Sequence, residues 1–283
     1  MITFATAGKP DSFGNKKYPR ELPDYLAGFG LNGYEVECGR GINISDEVAA
    51  GLLRMSRESG IRVSLHTPYY ISVSSVDEEI RERSVATIVQ SAEAARRVGA
   101  DRIIVHSGSC AKISRESALE LAVGTFRKAR EAMDETGFGD ILICPETMGK
   151  INQLGTLEEV LRICEIDERM LPCVDFGHLN ARTLGGIKSR SDYASAFDLI
   201  RDSLGDGILQ NLHIHFSKIE YTKGGEKKHL TFADEIFGPD CKPMLDEIFD
   251  RRMTPFIVCE SDGTQAEDCA VMRKYYESIG STK

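Results

Sequence analysis

The residues best suited to chemistry in this chain are its six histidines and three of its carboxylates, which follow short apolar runs. Each histidine ends a predicted strand or lies in the loop beyond one, and they are His66, His106, His178, His213, His215 and His229. Three carboxylates end similar runs: Glu146 in ILICPE, Asp175 in LPCVD and Glu260 in PFIVCE. A charge buried there without a partner is costly, and a metal ion offsets that cost. We therefore predict a metal centre.

The donor types indicate the metal and its chemistry. Mixed imidazole and carboxylate ligands favour zinc, with manganese or iron as alternatives. The donors outnumber the four that one tetrahedral zinc needs, so we expect two or three ions, an arrangement typical of enzymes acting on phosphate esters. In LHIHF, alternation along a strand sends both histidines to one face, which we expect to be the interior, and the apolar residues to the helix side.

The elements that must position these side chains alternate in type. Eight predicted strands begin at Ile2, Gly33, Ile61, Asp101, Asp140, Leu171, Asn211 and Thr254. Helical stretches separate them, namely Ser45–Ser59, Asp77–Val98, Arg115–Thr136, Thr156–Ile166, Ser189–Leu204, Lys242–Arg251 and Ala266–Ile279. This alternation in 283 residues predicts an α/β fold, a single (β/α)₈ TIM barrel over residues 1–283 with the metal site at the carboxyl ends of the strands. An open doubly wound sheet is the alternative.

Composition and two short motifs limit which functions and which location the sequence predicts. A net charge of −9 does not favour nucleic acid as a partner, although metal ions and a local basic rim can reverse the sign inside a cleft. No apolar run predicts a membrane span or a signal peptide, and the eight cysteines lack zinc-knuckle spacing, so we expect a cytoplasmic protein. Gly28–Gly33 matches G-x-G-x-x-G but precedes a strand, which predicts a turn. Asp175-Phe176-Gly177 lacks the other kinase motifs.

The segments LHTPYY, IVHSGS, PETMGK, VDFGHLNA, HIHFSK and VCES resemble endonuclease IV, an apurinic/apyrimidinic endonuclease family within the xylose isomerase-like TIM barrel superfamily. Their order and spacing match over nearly the whole chain. The resemblance implies a zinc-dependent barrel that cuts double-stranded DNA 5′ to abasic sites during repair and leaves a 3′-hydroxyl. We expect a monomer.

The resemblance also implies roles for individual residues. His66, His106 and Glu146 resemble the ligands of a first ion; Glu146, the expected catalytic residue, bridges to a second ion held by Asp175, His213 and Glu260. His178 and His229 resemble ligands of a third ion, whose aspartate falls at Lys227, so Glu226 or His215 would substitute or Lys227 would act as the cation. The expected DNA contacts are Tyr69 and Tyr70 after strand three, Arg40 after strand two, and Lys218 and Lys228 after strand seven.

Two other functions remain open from the sequence. A sugar isomerase or epimerase on the same barrel would use strand-end metal ligands, but would rely on carboxylates and a lysine with fewer histidines. A non-catalytic relative of the nuclease would need no complete ligand set. The abundance of histidine argues against the first, and the nearly complete set of ligands argues against the second.

Overall fold

Eight parallel strands close into a barrel in the computed structural model, which describes residues 1–110 and 112–281. The strands are β1 Thr3–Ala7, β2 Gly33–Glu37, β3 Arg62–His66, β4 Ala100–His106, β5 Leu142–Glu146, β6 Cys173–Asp175, β7 His213–Phe216 and β10 Phe256–Cys259. Around the barrel they follow the order β1-β10-β7-β6-β5-β4-β3-β2. The predicted fold class is confirmed, and the predicted strand starts agree to within two residues.

Helices follow the strands and pack outside them. They are α1 Leu22–Gly28, α2 Asp46–Ser59, α3 Glu78–Val98, α4 Arg115–Glu135, α5 Leu157–Cys164, α6 Phe176–Arg182, α7 Arg190–Leu204, α8 Asp206–Gln210, α9 Cys241–Asp250 and α10 Gln265–Ser281. Side-chain caps set several starts; Ser45 accepts from Val48 N at α2, and Thr156 forms a capping box with Glu159 at α5. Residues 28–33 form the predicted turn between α1 and β2.

Two parts of the chain differ from the prediction. The polar segment after β7 is not a simple loop, because it folds into an antiparallel hairpin of β8 Lys218–Thr222 and β9 Gly225–Leu230. His178 was expected in a loop but lies in the short helix α6. This helix begins directly after β6 because the Asp175 side chain caps it, accepting from His178 N at 2.7 Å.

The core has an outer and an inner part. Apolar side chains on the outward faces of the strands, such as Leu65, Ile103 and Ile214, belong to the large cluster under the helices. The interior holds two smaller clusters, Ile104, Cys144, Leu171 and Cys173 in one and Ala5, Phe256 and Val258 in the other. Since side chains alternate along a strand, the residue two positions beyond an interior one also faces inward, at the carboxyl end of the barrel.

Candidate metal centre

Polar groups stand at this last inward position on seven strands. Glu37 ends β2 beside His66. The other six side chains are His66, His106, Glu146, Asp175, His215 and Glu260, on β3, β4, β5, β6, β7 and just beyond β10. Glu146, Asp175 and His215 are at most 1% exposed. The six strands therefore bring together donors that are far apart in sequence, at the end of the barrel where enzymes of this fold carry their sites.

The first group consists of His66, His106 and Glu146, whose ligand atoms lie within 4.8 Å of one another. Nε2 of His66 and Nε2 of His106 are 3.3 and 3.4 Å from Glu146 Oε2. Nδ1 of His66 lies 3.0 Å from the carbonyl oxygen of Thr67, which can only accept, so Nδ1 carries the proton. Nε2 then faces Glu146 and is the ring nitrogen available to a metal ion that displaces its proton.

The second group consists of Glu146, Asp175, His215 and Glu260. Nδ1 of His215 lies 3.3 Å from Glu146 Oε1 and 3.2 Å from Glu260 Oε1. Glu146 thus belongs to both groups, as expected of a bridging ligand. The histidine of this group is His215 and not His213, which lies one inward position deeper in the barrel and is completely buried. The structure therefore corrects the expected placement of His213.

The third group consists of His178, Glu226 and His229. Nδ1 of His178 lies 2.9 Å from the carbonyl oxygen of Thr147, which leaves Nε2 to face Glu226 Oε2 at 3.4 Å. The ring of His229 is fixed by a 2.8 Å contact between its Nδ1 and Ser217 Oγ. Glu226 supplies the carboxylate where the expected aspartate position holds lysine, so it is Glu226 and not His215 that completes this group.

A β-bulge explains how Glu226 and His229 reach one group. They are three residues apart, and a regular strand would direct them to opposite faces. In the hairpin, Glu220 pairs with Lys228 but Tyr221 pairs with Glu226, so Lys227 is the extra residue of a bulge. The extra residue restores a shared orientation, and a hydrogen bond of 3.1 Å from Glu226 N to Gly149 O fixes the hairpin against the loop after β5.

The structure gives the expected cationic residues different surroundings. Lys227 forms an ion pair with Glu220 on the neighbouring strand and is not among the residues that line the cavity, so its expected role as the third cation stays a prediction that this arrangement does not favour. The Lys218 ammonium donates to the backbone carbonyls of Phe232 and Asp234 and holds that segment in place. Lys228 is more than half exposed and lies 3.7 Å from Glu220. Arg40 is exposed.

The two expected wedge tyrosines differ in position. Tyr69 is 58% exposed, yet its ring stacks on His106 with centroids 5.3 Å apart and meets His66 edge-on at 5.4 Å. Its ring also packs so closely on the backbone of Gly39 that a Cβ there would lie 2.3 Å from it. Tyr70, 63% exposed, lines a separate surface pocket between the β3 loop and α3. Only Tyr69 therefore adjoins the metal groups.

Burial and opposing charges shift the pKa values of these groups strongly. Burial lowers the pKa of His106 to about 4. Burial also disfavours charge on His66, but the Glu146 carboxylate 3.3 Å away and the nearby Glu37 and Glu35 raise its pKa to about 10. Burial raises the pKa of Asp175 to about 7. Burial opposes ionisation of Glu260 as well, yet the His215 charge brings its pKa down to about 2. The protons that these side chains carry thus occupy positions where a divalent metal ion would bind.

The donors present fit bound metal. No hydrogen bond of acceptable geometry reaches the buried atoms Glu146 Oε2, Asp175 Oδ2 or His215 Nδ1. All three side chains belong to the second group, and Glu146 also belongs to the first. Buried polar atoms are rarely left without partners. Imidazole and carboxylate donors suit zinc, and the first and third groups have the mixed composition typical of it. Groups of buried side chains able to hold metal ions are therefore present, and which ions they hold stays a prediction.

Several residues at the site were not predicted from the sequence. A cavity of about 410 Å³ opens over the three groups, and the loop after β5 contributes Lys150 and Gln153 to its wall. Below the groups lie Glu35 and Cys173. Glu35 stands in GYEVEC, a strand whose two glutamates share the inward face, and this alternation was a usable signal. No comparable signal marks Lys150, because its position depends on how the loop folds.

Comparison with known proteins identifies the family. A family model described as the xylose isomerase-like TIM barrel matches residues 23–275. The chain belongs to this family. An uncharacterized protein of Methanocaldococcus jannaschii is 28% identical over 277 residues, 98% of each chain. A probable endonuclease 4 of Symbiobacterium thermophilum is 28% identical over 204 residues, 70% of this chain and 71% of its own.

Solved structures of the same fold carry different activities in their names. A D-tagatose 3-epimerase-like protein superposes with a TM-score of 0.71 at 18% identity and covers 99% of both chains. Endonuclease IV from Thermus thermophilus superposes with a TM-score of 0.69 at 17% identity, over 98% of this chain and 99% of that one. At these identities the likeness shows the fold alone. The chain is thus a xylose isomerase-like TIM-barrel enzyme with groups of side chains able to hold metal ions.

No helix within residues 1–110 and 112–281 combines the length and the apolar composition that crossing a membrane requires.

Proposed function

We propose that this protein is a zinc-dependent phosphodiesterase that cuts double-stranded DNA 5′ to abasic sites. The observation that carries the proposal is the convergence of three ligand groups in one cavity, two of them joined by Glu146. Multi-metal sites of this kind suit in-line displacement at phosphate. The relative described as a probable endonuclease 4 supports the same reaction class.

The protein's own residues would have separate roles in this reaction. Bound zinc ions would supply Lewis acidity and would lower the pKa of a coordinated water towards 7. Glu146, buried between two groups, fixes their spacing. Lys150 offers a positive charge at the cavity wall where a phosphate would enter, among carboxylates and histidines. Tyr69 covers the first group and presents an exposed ring edge to the gap left by a missing base. No protein nucleophile is needed.

A sugar epimerase is the second candidate. The Glu146, Asp175, His215 and Glu260 group is rich in carboxylate and could serve a single ion without the other groups, and Lys150 adds a lysine to the cavity. The first and third groups are unnecessary for that chemistry. Four histidines, His66, His106, His178 and His229, would then have no role at the cavity, and this favours the phosphodiesterase.

A paired assay distinguishes the two candidates. The zinc-loaded protein is incubated with a labelled duplex containing one tetrahydrofuran abasic analogue, and separately with a ketohexose in the presence of zinc or manganese. We expect one cut 5′ to the analogue and no epimerisation. Glu146→Gln should reduce cleavage by several orders of magnitude, while Glu220→Gln, outside the cavity, should leave it unchanged. Epimerisation without cleavage, or cleavage by Glu146→Gln within tenfold of the parent, would refute the proposal.

A further inference from the structure

A charged layer lies in the barrel directly beneath the metal groups. Glu35, Ser64, His213 and His215 are all 0% exposed. Glu35 Oε2 accepts a 2.7 Å hydrogen bond from Ser64 Oγ and lies 3.0 Å from His213 Nε2. Its other oxygen, Oε1, lies 3.0 Å from His215 Nε2. A buried carboxylate is costly unless its surroundings require it, so its role needs a specific partner.

The partner that connects this layer to the metal groups is His215. Its two ring nitrogens point to opposite sides: Nδ1 faces Glu146 and Glu260, and Nε2 faces Glu35. A carboxylate on the far side of a ligating imidazole accepts the second ring N–H, which fixes the tautomer and the ring orientation and makes the ligating nitrogen more basic. Glu35 occupies that position for the second group.

The remaining members of the layer hold Glu35 in place. Ser64 is its neighbour on β3, since Glu35 pairs with Ser64 in the barrel register. The His213 ring stacks on Phe256, with centroids 5.0 Å apart and planes at 29°. On Phe256 lies the guanidinium of Arg102, 5.4 Å from the ring centroid, and Arg102 itself is only 3% exposed. Packed side chains therefore fill the barrel interior from the amino ends of the strands up to the Glu35 carboxylate.

We propose that Glu35 is a positioning residue that holds the His215 imidazole with Nδ1 towards the second metal group. The inference rests on the metal centre of the proposed function and is independent of DNA as the substrate. His213 acts here as a support for this pair, because its Nε2 lies 3.0 Å from Glu35 Oε2 and 3.2 Å from His215 Nε2, and this explains why an imidazole stands one layer below the ligands.

Zinc titration of the protein without any nucleic acid tests this proposal. Chelator competition on the parent and on Glu35→Gln, which keeps the side-chain shape and removes the charge, gives the affinity of each ion. We expect one ion to bind about 10–100-fold more weakly and the others to be unaffected. Cobalt substitution should show a changed visible spectrum for that same ion. Ser64→Ala, which keeps the charge and removes one donor, should show a smaller loss at the same ion.

Three outcomes would overturn the proposal. Unchanged affinities in Glu35→Gln would mean that the carboxylate does not act on His215. Equal weakening of every ion would indicate a merely structural role, which circular dichroism and thermal unfolding of the metal-free variants would also register. A further ion lost in Cys173→Ser would place metal between Cys173, His213 and His215 instead. Should Glu35→Gln not fold, Ser64→Ala decides by the same readings. If Glu35→Gln weakens one ion as expected but the parent protein cleaves no DNA, the role of Glu35 stands and only the proposed function fails.

Discussion

At the scale of single residues, the ring nitrogen that faces the cavity decides what each histidine can do. His66 and His178 both donate Nδ1–H to a backbone carbonyl, of Thr67 and Thr147, and so present Nε2. His215 presents Nδ1, because its Nε2 faces Glu35. Backbone contacts fix the first two rings and a buried side chain fixes the third. Substitutions near His215 should therefore affect metal binding more than equivalent changes near His66.

Tyr69 gives a residue-scale prediction about DNA. Because its ring stacks over His106 beside the cavity, Tyr69→Ala should weaken binding to abasic duplex by about tenfold more than binding to intact duplex, as expected for about 1–3 kcal/mol of base–aromatic stacking. Tyr70→Ala is the matched control, since Tyr70 lines a separate pocket. Fluorescence anisotropy with both duplexes measures the effect. Equal weakening for the two duplexes would mean that Tyr69 merely covers the barrel mouth.

Glu226 gives a second residue-scale prediction. Its carboxylate completes the third group, and it is less buried than Glu146, with 14% of its side chain exposed. We therefore expect the parent to bind three zinc ions, the third most weakly, and Glu226→Gln to retain two after dialysis. Glu220→Gln, on the same hairpin but outside the cavity, should retain the third. Elemental analysis of the dialysed proteins provides the count, and three retained equivalents in Glu226→Gln would contradict the assignment.

At the scale of elements, the bulge in the hairpin makes the third group possible. Deletion of Lys227 should restore a regular ladder in which Glu226 and His229, then two positions apart, still share one face, so the third ion should be retained. Lys227→Ala keeps the extra residue and should keep the ion. Zinc content after dialysis is again the measurement. Loss of the third ion in the deletion alone would contradict this account of the bulge.

The loop after β5 depends on a partly buried ion pair. Glu159 on α5 receives two hydrogen bonds from Arg115, at 2.7 and 2.8 Å, and accepts from the backbone N–H groups of Gly155 and Thr156. The other guanidinium nitrogen of Arg115 donates to the carbonyl of Ile151 at 2.6 Å. This network holds the segment that carries Lys150 to the cavity wall. Burial would raise the pKa of Glu159, but the donors lower it below its usual value of 4.5.

A pH-dependent stability difference should follow from that pKa. A carboxyl whose folded pKa is lowered stabilises the fold above its unfolded pKa, and this contribution disappears as pH falls through the folded value. Glu159→Gln should therefore cost about 1.5–3 kcal/mol of unfolding free energy at pH 7, the range for hydrogen bonds to charged groups. The difference from the parent should narrow as pH falls below 4.5. Denaturant unfolding at several pH values measures it, with the exposed Glu158→Gln as control; a constant difference would contradict the prediction.

At the scale of the whole molecule, bound metal should stabilise the folded barrel in addition to supporting its activity. Six strands contribute a donor, so an ion bound among them connects elements from β3 to β10. Ligand at a thousandfold excess over Kd adds about 4 kcal/mol, which for a domain of this size corresponds to a Tm shift on the order of 10 °C. Chelation should lower the Tm by that amount, and re-added zinc should restore it. Glu146→Gln should show a smaller shift, and a Tm insensitive to chelator would argue against bound ions.

The sequence by itself determined the barrel and most of the site. Alternating apolar runs and amphipathic stretches predicted eight strands, because the two periodicities are local and each element follows from its own residues. Strand ends predicted five of the six donors in the first two groups for the same reason. Counting inward positions would also have selected His215 over His213 and revealed Glu35, since alternation fixes the face of each residue on a strand once the strand's end is known.

Only the tertiary structure decided which further side chains reach the site and how they are oriented. Whether Glu226 or Lys227 faces the cavity depends on a bulge, which arises from pairing between two strands and leaves no mark in either strand alone. The position of Lys150 depends on hydrogen bonds from Arg115 to the loop, formed across 36 residues of chain. The orientation of His215 depends on Glu35, 180 residues away and on the far side of the barrel interior. Local patterns specify elements, and the closing of the barrel decides which of their side chains meet.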